Sequence, residues 1–428
     1  MSDGAPPAGI RQLLGRRAYR TLLTAQAVSS LGDWVGTFAL VARAFDLTGS
    51  PTAVGGMLVL RLVPPLFAAP VGGVLADRVD RRLMLVSTNL IAGGLIALAP
   101  FLGIGPLFAV AFAAEFFLLL GLPSRDASIP ELVPERSLPQ ANGLVLGSSY
   151  GVLPVGAALF SGLRLASDHL PGWMPFGGFL ARNPTVLAFL FDAATFVFAA
   201  AMFARLPGGG RRPEQALNVF SGLGEAARYV RRSRVIRGLA AGIGVAMFGG
   251  GVLFALGIAY IRETLGGGDV EFGFLASLWG LGMALGLGMV RFLVREAGSE
   301  PLAFRSSVSA CGTIMVGMAF LPFTWLALIA ALFFGMAFSV AIMLAVTIVQ
   351  RTVEEEMRGR LLGGAQMLFR ISLATGALGI GGLAGSFGGF SIGPVRLDGN
   401  QFGLLIGGGL ILLGSLASRG VHAAEEPA

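Results

Sequence analysis

Several ionisable side chains stand inside runs otherwise apolar enough to enter a lipid bilayer: Asp33, Arg61, Glu115, Asp192 and Arg370. A charge at membrane depth costs about 2.5–3.5 kcal/mol on insertion scales, which makes each of these residues a candidate for proton binding, ion pairing or solute contact. Asp33 lies 13 residues past Arg20, about 20 Å along a helix, and Arg61 precedes Asp77 by 16 residues, about 24 Å on the same scale. Adjacent helices would bring the two to similar depth. There they would form either a carboxylate that takes up and releases a coupling proton beside its cation, or a fixed structural pair. Glu115 and Arg370 fall in the inner halves of their runs, where they face a central cavity from opposite halves or meet inner-leaflet water.

Other chemistry has little to work with. Cys311 is the one cysteine, and His169 and His422 are far apart, so neither a disulfide framework nor a Cys-rich metal site is expected. No nucleophile–base set lies at membrane depth, so an enzyme is not expected. A phosphate-binding loop of the G-x-x-x-x-G-K-[ST] type needs a lysine, and the sequence has none. No cofactor is implied, and energy for any transport must come from an ion gradient or from the solute's own gradient.

Of the 428 residues, 54% are hydrophobic and only 13% charged, against about 25% charged in soluble domains. Mean hydropathy is +0.77. The net charge of +7 is carried by arginine, placed in short loops between apolar runs, which fits membrane topology rather than nucleic-acid binding.

A bilayer core needs about 20 apolar residues per helix. Such runs begin near Thr21, Ala53, Leu83, Pro106, Gly143 and Thr185, then near Gly238, Phe272, Leu302, Thr324, Leu361 and Phe402; the fourth and the last are short. The apolar run after Arg20 is too long for a cleavable signal. The reading is an all-α integral membrane protein of 12 transmembrane helices. It has a tail at 1–19, six helices over 20–206, a linker over 207–235, six helices over 236–418 and a tail at 419–428. Within the linker, Ala216–Arg232 reads as an amphipathic surface helix with Leu217, Phe220, Leu223 and Tyr229 toward lipid. With the N-terminus inside, arginines are in about fivefold excess on the inner side, which places both termini in the cytoplasm. A faint internal repeat pairs Ile129–Glu135 with Ile348–Glu354, at like places in the two halves.

The loop between the second and third runs reads Gly73-Val74-Leu75-Ala76-Asp77-Arg78-Val79-Asp80-Arg81-Arg82. This resembles the signature loop of the major facilitator superfamily, with Asp80 where the general pattern has a second Gly. Ser30-Leu31-Gly32-Asp33, Arg61-Leu62-Val63-Pro64 and Arg358-Gly359-Arg360 add to the likeness and point to the branch that contains enterobactin-type siderophore exporters and macrolide efflux proteins. The resemblance implies two six-helix bundles with pseudo-twofold symmetry rocking about a central cavity, with Gly73, Asp77, Arg78, Asp80, Arg81 and Arg82 as a conformational-switch motif. In the fifth run, Gly147, Gly151, Pro154 and Gly156 resemble a degraded antiporter motif and equally suit a packed, bent helix. The fourth run has Glu115 where many drug–proton antiporters carry Arg, and the eighth-to-ninth loop, Arg291 to Glu296, lacks the Asp-Arg core. Asp192 falls in a run that is peripheral in the family, which implies a structural role. The seventh and tenth runs, expected by resemblance to line the cavity, offer Met247, Phe248, Phe254, Phe333, Phe334, Met336, Phe338 and Met343. Such walls suit bulky lipophilic solutes, and most of these residues serve packing.

The leading expectation is a monomeric secondary transporter in the bacterial cytoplasmic membrane, exporting small amphiphilic molecules against protons, with membrane lipids around it. Uptake, lipid flipping, and a non-transporting receptor or assembly subunit remain open. The arginine asymmetry makes one direct forecast. A label attached at Gly209→Cys reacts from the cytoplasmic side and one at Ser391→Cys from the opposite side; labelling of both from one side overturns the topology.

Overall fold

The computed structural model describes residues 10–65, 68, 71, 75, 79–134, 137–169, 179, 183–207, 228–293, 300–353, 355–387, 389–392 and 395–417. Gly73, Asp77 and Arg78 of the switch motif, the chain termini and most of the expected amphipathic linker helix lie outside the described residues; its last turn, residues 228–232, is helical. The first elements are α1 (Ile10–Gly15), α2 (Arg17–Thr48), α3 (Pro51–Leu62), α4 (Arg81–Leu98), α5 (Ile104–Leu132), α6 (Leu138–Tyr150), α7 (Leu153–Asp168) and α8 (Val186–Phe203). There follow α9 (Arg234–Ala259), α10 (Asp269–Leu293), α11 (Glu300–Met318), α12 (Thr324–Thr352), α13 (Glu355–Ser386), a hairpin of β1 (Phe390–Ile392) and β2 (Val395–Leu397), and α14 (Gly399–Ala417).

Among the described residues, nine helical segments are long and apolar enough to cross a membrane. They cover the third to eighth and tenth to twelfth expected runs. The first, second and ninth expected runs coincide with α2, α3 and α11. The fourth run is not short: α5 is 29 residues long and continues through Pro123 and Pro130. Each proline removes one helical donor, yet the helix runs through both. Ser128 Oγ donates to the Ser124 carbonyl at 2.7 Å, and the Arg81 guanidinium donates to the Ala127 carbonyl at 2.9 Å. The described residues are nearly all helical, as expected; one short hairpin, β1–β2, pairs Phe390 with Leu397 and Ile392 with Val395 and so satisfies the backbone of the connection between α13 and α14.

The weak internal repeat has a structural counterpart. Helix α12, like α5, is 29 residues long. Both end on an extended valine, Val133 or Val353, whose N–H donates to the carbonyl of Ile129 (3.2 Å) or Val349 (3.0 Å). The helix ends therefore pair Ile129 with Val349, one residue on from the sequence pairing with Ile348.

The chain forms two compact units, Met1–Arg43 with Val63–Ala216, and Ala44–Leu62 with Leu217–Ala428. Unit one buries Leu13, Tyr19 and Leu22 against Ile129, Val145 and Phe203, and the Tyr19 hydroxyl donates to the Ala141 carbonyl at 2.9 Å. Along α2, Gly32 and Gly36 form a small-residue seat for Asp192 and Thr195 of α8. Unit two is built on reciprocal glycine seams. A methyl group at Gly282 of α10 would overlap the Leu332 carbonyl, and one at Gly335 of α12 would overlap the Trp279 carbonyl. Between α9 and α13, Gly251 meets Leu373 and Gly376 meets Phe248 in the same way. Helices that cannot be driven together by hiding apolar surface from water associate through such close backbone contact. Segment Ala44–Leu62 joins unit two on the same terms: a methyl at Gly55 would stand 2.5 Å from the Ala377 carbonyl oxygen.

These seams separate glycines that matter from glycines that do not. Gly335→Ala should destabilise the purified protein by about 1–3 kcal/mol, the usual cost of overpacking. Gly288→Ala on α10, where an added methyl meets nothing within 4 Å, should be neutral or slightly stabilising. Thermal unfolding in detergent reads both, and equal midpoints would remove the seam argument.

Candidate functional site

On α2, Gln26, Ser29, Ser30 and Asp33 fall at helical spacings of three, four and seven and therefore share one face. On α5, Glu115, Leu118, Leu119, Leu122 and Arg125 do the same. These two faces, with Leu85 and Asn89 of α4 and Phe196 and Phe203 of α8, line a cavity of about 160 Å³ within unit one. The walls on α4 and α8 are mostly apolar, so the polar groups converge from α2 and α5. Asp33 and Glu115, separated by 82 positions in sequence, are thus brought to one chamber, with Arg125 as the cation in its lining.

Composition alone places Arg125 in a loop; its position on the continued α5 makes it part of the site. Its side chain is 14% exposed. Nη1 donates to Gln26 Oε1 at 3.0 Å, and Nη2 to Asp126 Oδ1 at 2.7 Å. Gln26 in turn donates from Nε2 to Ser30 Oγ at 2.9 Å and to Ser149 Oγ at 3.2 Å. A hydrogen-bonded chain therefore runs from the exposed carboxylate of Asp126 through Arg125 and Gln26 to two hydroxyls. The hydroxyls at its end reorient readily and can hold a polar solute group. Gln26 and Ser149 carry no signal in the sequence. Arg125 could have been found by asking whether the fourth run ends at its prolines.

Ser149 belongs to the fifth span, which is bent. Helix α6 ends at Tyr150, and α7 restarts at Leu153 with Pro154 in its first turn. The break deprives the Ser149 carbonyl of its regular helical donor, and the Trp34 indole N–H supplies one at 3.0 Å. Gly156 then lies against Trp34 and Leu31, where a methyl group would stand 2.7 Å from Trp34 Cβ. Gly151 N–H donates to Gly147 at 2.8 Å, and an added methyl at Gly151 would crowd the same carbonyl at 2.5 Å. Gly147 itself has open space around it. The four motif residues thus divide into a bend (Gly151 and Pro154), a seat for α2 (Gly156) and a spacer (Gly147).

At the start of α4, Asp80 caps the helix, its Oδ1 accepting from Leu83 N at 3.0 Å. The residue that departs from the motif's glycine is therefore an N-cap. Arg81 is buried and donates to Glu131 Oε1 at 2.8 Å, tying the start of α4 to the end of α5, while Arg82 is exposed. Asp192 is 1% exposed and sits in the α2–α8 seam, outside the cavity lining. Arg61, in the last turn of α3, and Arg370 on α13 both belong to unit two. Of the aromatics named on the seventh and tenth spans, Phe254 and Phe338 form edge contacts with Trp279 at 4.9 and 6.0 Å. Phe334 is fully buried. Phe333 and Met343 are exposed.

The sequence model described as Major Facilitator Superfamily matches residues 22–377. The chain belongs to the major facilitator superfamily. It is similar to the MFS-type transporter YfiS of Bacillus subtilis, with 25% identity covering 86% of this chain and 87% of that one. It is also similar to the enterobactin exporter EntS of Salmonella typhimurium, with 26% identity covering 92% of each. In structure it is similar to the nucleoside transporter NupG, with a TM-score of 0.72 over 96% of this chain and 100% of that one at 13% identity, which shows the fold. As a member of the major facilitator superfamily the protein is a multi-span membrane transporter, with a small-molecule substrate implied.

The Arg81–Glu131 bridge gives this site's stability test. Glu131→Gln withdraws the carboxylate from a buried guanidinium and should lower stability by about 1–2 kcal/mol, Glu131 being partly exposed and its pair partly screened. An unchanged unfolding midpoint in detergent would show that the bridge contributes nothing.

Proposed function

We propose that this chain exports small amphiphilic molecules across the bacterial cytoplasmic membrane by proton antiport and alternating access, with both termini in the cytoplasm. The observation that carries the reading is the convergence of Asp33 and Glu115 on one cavity with Arg125. A proton taken up by either carboxylate changes the charge of the whole chamber. A cationic or polar part of the solute answers that charge in the other state. The likeness to EntS over 92% of both chains supports export. The apolar part of the chamber wall, with Leu85, Leu118, Leu122, Phe196 and Phe203, supports an amphiphilic solute.

Asp33→Asn should abolish gradient-driven accumulation in inverted vesicles while leaving passive exchange, and Asp33→Glu should keep part of the activity. The double variant Asp33→Asn with Arg61→Gln decides between coupling and structure. If proton-driven transport returns in the double variant, Asp33 is a structural partner of Arg61 and the coupling role moves to Glu115.

A further inference from the structure

Arg262 occupies the π-helical turn Tyr260–Thr264 that ends the seventh span. Single π-turns of this kind are frequent at functional sites. Its Nη1 donates to Asp46 Oδ1 at 2.7 Å, across 216 residues of sequence. Its Nη2 bonds Asp269 Oδ1, and its Cζ stands 5.4 Å above the Phe45 ring. The two carboxylates are not equivalent. Asp269 is 1% exposed and starts α10, seven residues beyond Arg262, so these two groups neutralise one another within neighbouring elements. Asp46 is 27% exposed and comes from the far end of α2. Were Asp46 to leave, Arg262 would keep one fully buried partner, and Asp46 would pass into water. The planar guanidinium fork permits this division, one edge for each acid.

What Asp46 carries with it is short and smooth. Gly49, in the left-handed region at φ 62°, closes α2 and turns the chain into α3, where its N–H donates to the Phe45 carbonyl at 2.7 Å. Helix α3 then lies on α13 through small residues, Gly55 against Ala377, Gly381 against Pro51 and Gly385 against Thr52. Behind the turn is a polar chamber of about 710 Å³ that Gly49, Ser50 and Pro51 close on one side and Glu263, Asp398 and Asn400 on the other. Water is thus at hand for the groups that separation would expose.

We propose that Arg262 is a positioning residue of the transport cycle: release of Asp46 from Arg262, with Asp269 retained, frees Ala44–Leu62 from the rest of unit two and opens the face at the C-terminal ends of α2, α9 and α13. This rests on the alternating-access reading above, under which that face is the outer one.

Spin labels at Leu47→Cys and Ser386→Cys, both exposed and placed beside the two walls of the chamber, read the separation in a Cys311→Ala background. Asp46→Asn and Arg262→Gln should each raise the long-distance fraction by about fivefold over the parent, the scale of one partly exposed ion pair. Asp269→Asn, which keeps Asp46 on Arg262, should hold the parent's short distance. Unchanged distances in Asp46→Asn, or equal lengthening in Asp269→Asn, overturn the proposal; should Arg262→Gln fail to fold, Asp46→Asn decides. The distances are read without transport. Lengthening in a protein that shows no proton-driven accumulation therefore sinks the antiport reading and leaves the latch standing.

Discussion

Hydrocarbon offers the peptide backbone no hydrogen-bond partner, and it offers apolar side chains no reason to leave it. The first fact forces the chain into helices. The second removes the force that packs soluble proteins, so close backbone approach and polar contact must do that work. The 65 glycines supply close approach, in paired seams where each helix presents a glycine to the other's carbonyl, as Gly282 and Gly335 do. Large apolar side chains are then free to point outward, as the exposed Leu83, Leu90 and Leu98 of α4 do. The same helix turns Met84, Leu85 and Ile96 inward.

Polar contact comes from charges that bring their own partners. Arg81 reaches across to Glu131, Arg125 takes Asp126 beside it and Gln26 opposite, and Arg262 holds two acids at once. In each case the guanidinium bonds a group from another element, which fixes helix against helix as well as satisfying the charge. The bent fifth span follows the same rule with neutral groups, since the Ser149 carbonyl at the break is met by the Trp34 indole.

What can be read from the sequence follows from this physics. Apolar runs are long-range averages, so the places where helices begin are visible, and so is the repeat in which α5 and α12 end alike. Averages fail at their edges: Pro123 and Arg125 look like the end of a span when composition alone is weighed. The structure carries α5 through them, and there Arg125 meets Gln26 and Asp126 while Arg81 bonds the Ala127 carbonyl. Asp33 and Glu115 stand out by their depth, but nothing in one chain's spacing shows that they share a cavity. The Asp46–Arg262 bond is less legible still. Both residues look like ordinary charges at the ends of spans, and a contact between partners 216 positions apart leaves no local pattern.

One element connects these features. Helix α2 runs unbroken from Arg17 to Thr48, yet its residues to Arg43 belong to unit one and those from Ala44 to unit two. Its polar face at Gln26, Ser30 and Asp33 lines the carboxylate cavity, and its last turn carries Phe45 and Asp46 to Arg262. Asp33 and Asp46 are 13 residues apart, about 20 Å along one helix axis. No proline interrupts that stretch, so it has no built-in hinge. Gly32 and Gly36, which would otherwise be its weak points, are pressed against Asp192 and Thr195. Under the proposed function, a change of charge at Asp33 and a change of partner at Asp46 then act on one and the same helix.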